Sequence, residues 1–275
     1  MVMIKISKDL VNLPASLSPD YRPLKGDEKR KATTTHKRRL QLIRNKKYIH
    51  HTNYDSRYKT DDIRERLKQK YFHKCAYCEQ KAESYHVEHY RPKVIYYWLA
   101  FSWDNLLYVC PKCNEYKRDT FALYGSLADF KYSKQNMLNI NNLSISYDVK
   151  EKPLLVNPER EDPFPLLVFD QNGKISSNDD RMKYTIELCK LDRDSLKTRR
   201  KKILDDFKNN LKAEILLHKN KEDQKIVTQA LVRQYIEKAK DSQEEFIAFR
   251  RYHLLGNRLN NIIKGAIYPP IKQMI

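Results

Sequence analysis

The pattern of apolar and polar positions predicts helices at both ends of the chain. Upstream, Thr60 and Asp61 stand before a stretch in which Ile63, Leu67 and Tyr71 share one side, which predicts a capped helix. Downstream of about residue 180, apolar residues recur at helical spacing, most clearly in one long predicted helix: Leu196, Ile203, Phe207, Leu211 and Ile215. Two or three further helices are expected in residues 221–265, and no catalytic signature is found there.

Short apolar runs separate these helical regions. The segments NLSISYDV (142–149) and PLLVNP (153–158) predict short extended pieces. The segment LLVFDQNGKIS (166–176) predicts a hairpin with Asn172 and Gly173 at a tight turn. The predicted fold class is therefore α+β and mainly helical.

Charge changes this picture by indicating a partner. The chain has 275 residues, and 54 Lys and Arg against 35 Asp and Glu give a formal net charge of +19. Such an excess favours a polyanionic partner, nucleic acid first and an anionic membrane surface second, although a Lys-rich residue usage gives the same balance. The stretch Lys25–His51 carries ten Lys or Arg and is either a helix on a phosphate backbone or a solvated linker.

The compartment follows from what the N-terminus lacks. MVMIKISKDL has no apolar core of a signal peptide, and no run approaches the roughly 20 apolar residues of a membrane span. We therefore expect a cytoplasmic protein that has no membrane partner. Cytosolic thiols stay reduced, so paired cysteines there indicate metal rather than disulfides.

Two C-x2-C units follow the first predicted helix. Cys75 and Cys78 form one, and Cys110 and Cys113 form the other. Together they supply the four ligands of a closed tetrahedral zinc site, in which Zn²⁺ is structural because no position is left for water. The fifth cysteine, Cys189, is predicted to be a small core residue.

The residues between and after these units predict chemistry, because a zinc clamp needs nothing particular there. HVEHYRPK (86–93) is predicted to be extended, and CNEYK (113–117) starts a helix. If zinc packs that helix on the extended segment, Glu88 and Asn114 converge on one hard cation such as Mg²⁺ or Mn²⁺. His89, beside that cation, is then placed to take a proton from water.

This order of residues resembles the HNH endonucleases of the ββα-metal type. The resemblance implies that His89 is the general base, that Glu88 and Asn114 are ligands of the catalytic cation, and that Asn105 orients the intervening loop. Two positions depart from the usual pattern: the acidic residue is Glu instead of Asp, and the last residue is Asn instead of His. Both remain oxygen ligands, so the departures affect the metal preference more than the assignment.

Longer motifs narrow the resemblance to the PtuB-type HNH effectors of Septu anti-phage systems and to retron-associated proteins. The motifs are CAYCE, HVEHYRPK, W-x-NLLYVC, CNEYK, LLVNPEREDP and TIELCKLDRDSLKTRR, and the likeness spans roughly residues 1 to 210. It implies an ABC-type ATPase as partner, and the retron relatives imply a reverse transcriptase with its msDNA. DNA is the substrate expected, with RNA such as tRNA as the alternative.

Other polar residues of this region are candidates for binding substrate phosphate: Arg91, Lys93 and Lys117. Lys93 is equally explained as a solvated residue. His86 is predicted to be functional, with three roles left open: a phosphate contact, a contact to a metal-bound water and a structural hydrogen bond. A zinc-dependent nucleic-acid-binding module without catalysis would explain the cysteines and the charge, but has no need for Glu88, His89 and Asn114.

Three regions are predicted. Residues 1–74 form a basic N-terminal region whose helix leads into the nuclease. Residues 75–130 form the zinc-clamped HNH module. Residues 131–275 form short strands and a hairpin, followed by a C-terminal helical domain.

Overall fold

The structure is a computed structural model that describes residues 5–23 and 33–267. It is mainly helical, and its described residues contain two small two-stranded sheets, which confirms the predicted fold class. Four described cysteines also lie close enough together to hold a metal ion, as predicted for a zinc-clamped module.

The described part of the N-terminal region contains three α-helices, α1 (Thr35–Asn45), α2 (Thr52–Asp55) and α3 (Asp61–Lys70). Residues 25–32 of the basic stretch lie outside the described residues. The remainder of that stretch forms α1, whose first turn is capped by the Thr34 hydroxyl. Helix α1 packs on the core through Leu42, and the buried Arg39 donates to the Phe101 carbonyl at 3.0 Å.

The central region contains strands β1 (His86–His89) and β2 (Leu106–Val109), followed by helix α4 (Pro111–Lys117). The strands pair antiparallel, with His89 opposite Leu106. Pro111 occupies the first turn of α4, where its missing N–H costs no hydrogen bond. This order, two strands and then a helix, is the ββ-helix arrangement predicted for the region.

The segment after α4 differs from prediction. NLSISYDV, predicted to be extended, forms helices α6 (Leu143–Ser146) and α7 (Asp148–Glu151), which follow helix α5 (Lys134–Leu138). PLLVNP forms no strand, and Pro153 makes only an isolated bridge to Leu123. Ser144 and Asp148 of this segment accept hydrogen bonds from the buried Arg91, contacts distant in sequence that local spacing does not signal.

The predicted hairpin is confirmed by strands β3 (Val168–Phe169) and β4 (Ile175–Ser176). Its turn holds Gly173 at φ +81°, a backbone conformation that favours glycine. The C-terminal part is helical, as predicted, and comprises α8 (Asp180–Leu188), α9 (Asp194–Leu217), α10 (Lys221–Lys240), α11 (Ile247–Leu254) and α12 (Arg258–Ile267). None of the described helices combines the length and the apolar character needed to cross a membrane.

One large apolar core connects all three predicted regions. It contains Ile6 and Leu67 from the first, Leu106 from the second, and Leu204 and Ile262 from the third. The ammonium of Lys74 donates to the carbonyls of Ser242 and Glu244, which ties the start of the central region to the C-terminal helices. The region boundaries at 74/75 and 130/131 stay predictions.

Candidate active site

Four cysteine side chains meet where β2 and α4 approach the end of the N-terminal region. Cys75, Cys78, Cys110 and Cys113 are buried and unoxidised, and their Sγ atoms all lie within 4.8 Å of one another. Tetrahedral coordination with Zn–S bonds of about 2.3 Å requires sulfur atoms roughly 3.8 Å apart. The Cys78 and Cys110 sulfurs are 3.7 Å apart, so this cluster fits zinc.

An arginine outside the two C-x2-C units also contacts the cysteine cluster. Arg193, just before helix α9, places Nη1 3.6 Å from the Cys113 sulfur and Nη2 3.7 Å from the Cys78 sulfur. One guanidinium therefore contacts one sulfur from each C-x2-C unit. Four thiolates around Zn²⁺ carry a net negative charge, which the positive charge of Arg193 offsets. The C-terminal helices are thus linked directly to the zinc cluster.

His89 has the hydrogen bonding of a neutral base. Its Nε2 lies 2.9 Å from the Ala100 carbonyl oxygen, and a carbonyl only accepts, so Nε2 carries the hydrogen. Nδ1 is then the basic nitrogen of the neutral ring. Burial lowers the pKa of His89 to about 3, and the positive charge of Lys93 acts in the same direction. The ring is therefore uncharged at neutral pH, and Nδ1 carries no hydrogen.

Glu88 is held by a buried lysine. Lys117 Nζ lies 2.7 Å from Glu88 Oε1 and also donates to the His89 carbonyl at 2.9 Å. Burial raises the pKa of the Glu88 carboxyl above its ordinary value, and the charge of Lys117 opposes that shift. Helix α4 thus fixes both Glu88 and the backbone of His89 on strand β1.

Asn114 and His86 form a pair at the mouth of the same site. Asn114 Nδ2 lies 2.8 Å from His86 Nδ1, and an amide nitrogen only donates, so the imidazole accepts. The Asn114 carbonyl oxygen then remains for a cation. Of the three roles left open for His86, the structure shows the hydrogen bond, which orients the Asn114 amide.

Asn105 holds the loop between the strands. Its Oδ1 accepts from the Arg91 backbone N–H at 2.8 Å, and its Nδ2 donates to the Arg91 carbonyl at 3.0 Å and toward the Leu99 carbonyl at 3.4 Å. Asn105 is fully buried. It therefore holds the loop that presents Ala100 to His89 and is shielded from solvent.

Two of the three predicted phosphate ligands are corrected by the structure. Arg91 is fully buried, and its guanidinium donates to Glu151 at 2.7 Å, Ser144 at 2.9 Å and Asp148 at 2.8 Å. Lys117 is also fully buried and is bound to Glu88. Neither cation is exposed, and each is paired with a carboxylate distant in sequence.

Lys93 remains at the site. Its ammonium donates to Asp55 Oδ1 at 3.1 Å and to the Tyr58 hydroxyl at 2.6 Å, and its side chain is 19% exposed. A phosphate contact for Lys93 stays a prediction.

These residues line a cleft of about 650 Å³. His86, Glu88, His89, Lys93 and Asn114 all contribute to it. Further side chains line the cleft that sequence reasoning missed: Tyr58, Lys59, Arg64, Tyr85, Glu115, Arg118 and Asp119. Arg118 and Asp119 directly follow the recognised CNEYK motif and were open to prediction, whereas nothing in residues 58–64 signals this position.

The donor set fits a small hard cation. Glu88 offers a carboxylate and Asn114 an amide oxygen at one cleft. Mg²⁺ is commonly bound through one or two protein oxygens, with water and substrate phosphate completing its octahedron. Three or more grouped His, Cys, Asp or Glu ligands occur among the described residues only at the cysteine cluster, which separates the two predicted metal sites by chemistry.

Comparison with known families decides the class of this site. Residues 75–120 match the family model described as HNH endonuclease. This segment is an HNH domain. It holds every predicted catalytic and metal-binding residue, and it confirms the resemblance on which those assignments rest.

Two curated proteins from Bacillus mycoides (strain KBAB4) are similar to this chain over a segment longer than the HNH domain. The chain is 30% identical to "Septu protein PtuB" over 169 residues, which cover 54% of this chain and 53% of that protein. It is 25% identical to "Septu protein PtuA" over 169 residues, which cover 56% of this chain and 22% of that protein. The chain thus spans about half the length of the first relative and less of the second.

Proposed function

We propose that the protein is a metal-dependent HNH endonuclease that hydrolyses phosphodiester bonds of DNA. One observation carries the proposal. His89 is neutral, its Nε2 is bound by the Ala100 carbonyl, and it shares a cleft with the oxygen ligands Glu88 and Asn114. A zinc-binding module without catalysis would have no use for a buried base beside a carboxylate.

The reaction follows from the positions of these groups. His89 Nδ1 takes a proton from a water molecule, which attacks phosphorus in line with the leaving 3′ oxygen. Glu88 and Asn114 would hold a Mg²⁺ or Mn²⁺ ion, which when bound would stabilise the charge on the pentacoordinate phosphorus and on the leaving oxygen. His86 orients the Asn114 amide.

Two buried residues support this arrangement. Lys117 fixes Glu88 and the His89 backbone. Asn105 fastens the loop that carries the Ala100 acceptor. Both act by positioning, because neither is exposed to the cleft.

We also propose that the protein serves anti-phage defence as the nuclease of a Septu-type system. Similarity to both PtuB and PtuA of one strain supports this role. An ABC-type ATPase is the partner that the resemblance implies. A retron reverse transcriptase with its msDNA is the alternative partner, in which case RNA such as tRNA is the alternative substrate. Water, not a 2′-hydroxyl, is the nucleophile, so the same residues serve both substrates.

The substrate is tested by offering nucleic acids side by side. The purified protein, alone and with the ABC-type ATPase, ATP and Mg²⁺, is incubated with duplex DNA, single-stranded DNA and total RNA. We expect DNA cleavage that requires the divalent cation. Cleavage of tRNA alone would replace DNA by RNA as the substrate, and intact substrates in every combination would contradict the nuclease proposal.

A further inference from the structure

One wall of the cleft comes from outside the HNH domain. Tyr58, Lys59 and Arg64, here called the N-terminal wall, line the cleft together with residues contributed by α4 and the turn after it. They lie upstream of residues 75–120, the segment that matches the HNH family. The HNH domain therefore supplies only part of the surface that a substrate meets.

The N-terminal wall is fixed directly to the catalytic strand. The Tyr58 hydroxyl accepts from Lys93 Nζ at 2.6 Å, and the ring meets the His89 imidazole edge to face at 4.5 Å between centroids. Asp55 accepts from Lys93 at 3.1 Å and from the Tyr48 hydroxyl at 2.7 Å. Tyr58 is only 2% exposed, so it anchors the wall and has no face left for a nucleic-acid base.

The wall presents two cations without acidic partners. Lys59 and Arg64 are exposed, and neither has a carboxylate within 4.0 Å among the residues that the structure describes. By contrast, Arg91 and Lys117 form ion pairs with buried carboxylates. Among the described residues that line the cleft, Lys59, Arg64 and Arg118 are thus the exposed cations without a carboxylate partner.

We propose that the N-terminal wall binds the phosphate backbone of the nucleic-acid strand beside the bond that is cut, through Lys59 and Arg64. This inference rests on the nuclease function proposed above. Lysine and arginine contacts to phosphate carry no sequence information by themselves, and the aromatic ring of the wall is buried. The wall therefore holds DNA and RNA strands alike and independently of sequence.

Salt dependence of binding tests the proposal. Each phosphate contact releases counterions, and removing one contact lowers the slope of log Kd against log salt by about 1. We measure anisotropy of labelled single-stranded DNA, duplex DNA and RNA of one sequence, from about 50 to 200 mM salt. The background carries His89→Ala, so that the probe stays intact.

The comparison uses Lys59→Ala, Arg64→Ala, their combination and one matched control. Lys68 lies on α3 with Arg64 but pairs with Glu65 and does not line the cleft, so Lys68→Ala changes the charge equally. We expect the slope to fall by about 1 in each single variant and by about 2 in the double variant, with no change for Lys68→Ala. An unchanged slope in the double variant would overturn the proposal.

Cleavage kinetics separate this inference from the nuclease proposal. With His89 intact, loss of Lys59 or Arg64 should raise KM and leave kcat unchanged, because the contact is to the strand and not to the reacting atoms. A fall in kcat at constant KM would show that these residues act on the chemical step, and would contradict the proposal that the wall binds the strand. Absence of cleavage by the unmodified protein would contradict the nuclease alone, since the binding slopes are measured without cleavage.

Discussion

Lys117 Nζ lies 2.7 Å from Glu88 Oε1, in a pair buried between helix α4 and strand β1. The same ammonium donates to the backbone carbonyl of His89. One side chain therefore fixes the proposed ligand of the catalytic cation and the proposed base next to it. The lysine of the CNEYK motif is explained by this contact rather than by a phosphate.

We predict that Lys117→Met lowers the free energy of unfolding by about 3–5 kcal/mol, because it leaves Glu88 buried without its partner. Urea denaturation measures the loss. Lys112→Met is the matched control, since Lys112 is exposed on the same helix and should change stability by less than about 0.5 kcal/mol. A stable Lys117→Met protein with a reduced salt slope of DNA binding would restore the phosphate role.

We predict that Arg193→Ala weakens zinc binding by about 10- to 100-fold, the usual effect of losing a group that supports metal ligands. Competition with a chelator measures the affinity. Arg193→Lys keeps the charge but loses the contact to two sulfurs. Its zinc affinity should lie between those of the unmodified protein and Arg193→Ala.

Two further variants serve as references for the effect of Arg193→Ala on zinc affinity. Cys110→Ser removes a ligand, so it should abolish zinc binding and destabilise the fold. Lys197→Ala, at a partly exposed lysine of α9 that pairs with Asp194, should leave zinc affinity unchanged. Equal zinc affinity in Arg193→Ala and the unmodified protein would show that the guanidinium is irrelevant to the cluster.

We predict that Asn105→Ala slows cleavage at saturating substrate and leaves DNA affinity unchanged, because the loop that positions His89 loses its fastening. The orphaned Arg91 N–H should also cost about 1–3 kcal/mol of stability. Single-turnover rates and binding isotherms separate the two effects. Asn142→Ala, at a nearby exposed asparagine, is the control, and a change in affinity without a change in rate would refute the positioning role.

We predict that Asp104 makes the protein less stable as pH rises. Burial raises the pKa of its carboxyl to about 7, against the opposing charge of Arg160. The folded state thus binds a proton that the unfolded state releases near pH 4, so stabilisation present below that pH is lost as pH rises toward 7. The unfolding free energy should fall by up to about 3 kcal/mol from pH 5 to 8.

Asp104→Asn isolates this contribution. The amide oxygen still accepts from the Ile145 N–H, but the side chain no longer titrates. The difference in the free energy of unfolding between Asp104→Asn and the unmodified protein should therefore be small at pH 5 and larger at pH 8. Parallel stability curves for the two proteins would show that Asp104 does not titrate in this range.

The sequence predicted the parts of the site that depend on local spacing. The C-x2-C units, the strand with Glu88 and His89, and the helix with Asn114 each follow from short motifs. Burial of Arg91 and Lys117 did not follow, because it depends on packing. The partners of Arg91, for example, lie more than fifty residues away on helices α6 and α7.

The N-terminal wall was missed for a related reason. Tyr58, Lys59 and Arg64 belong to no motif, and contacts of Tyr58 with Lys93 and His89, distant in sequence, bring this segment to the cleft. The segment NLSISYDV was predicted to be extended, and that prediction was wrong. Its inward polar residues serve Arg91, so the helical form is set by tertiary contacts rather than by local preference.

The most direct test of the account is the single-turnover cleavage rate of His89→Ala in the presence of Mg²⁺. A positioned general base contributes about 10²- to 10⁴-fold, so the rate should fall at least about a hundredfold. DNA affinity and zinc content should match those of the unmodified protein. His218→Ala, at a histidine outside the cleft, should cut normally. A His89→Ala protein that cuts DNA at the unmodified rate would contradict the account.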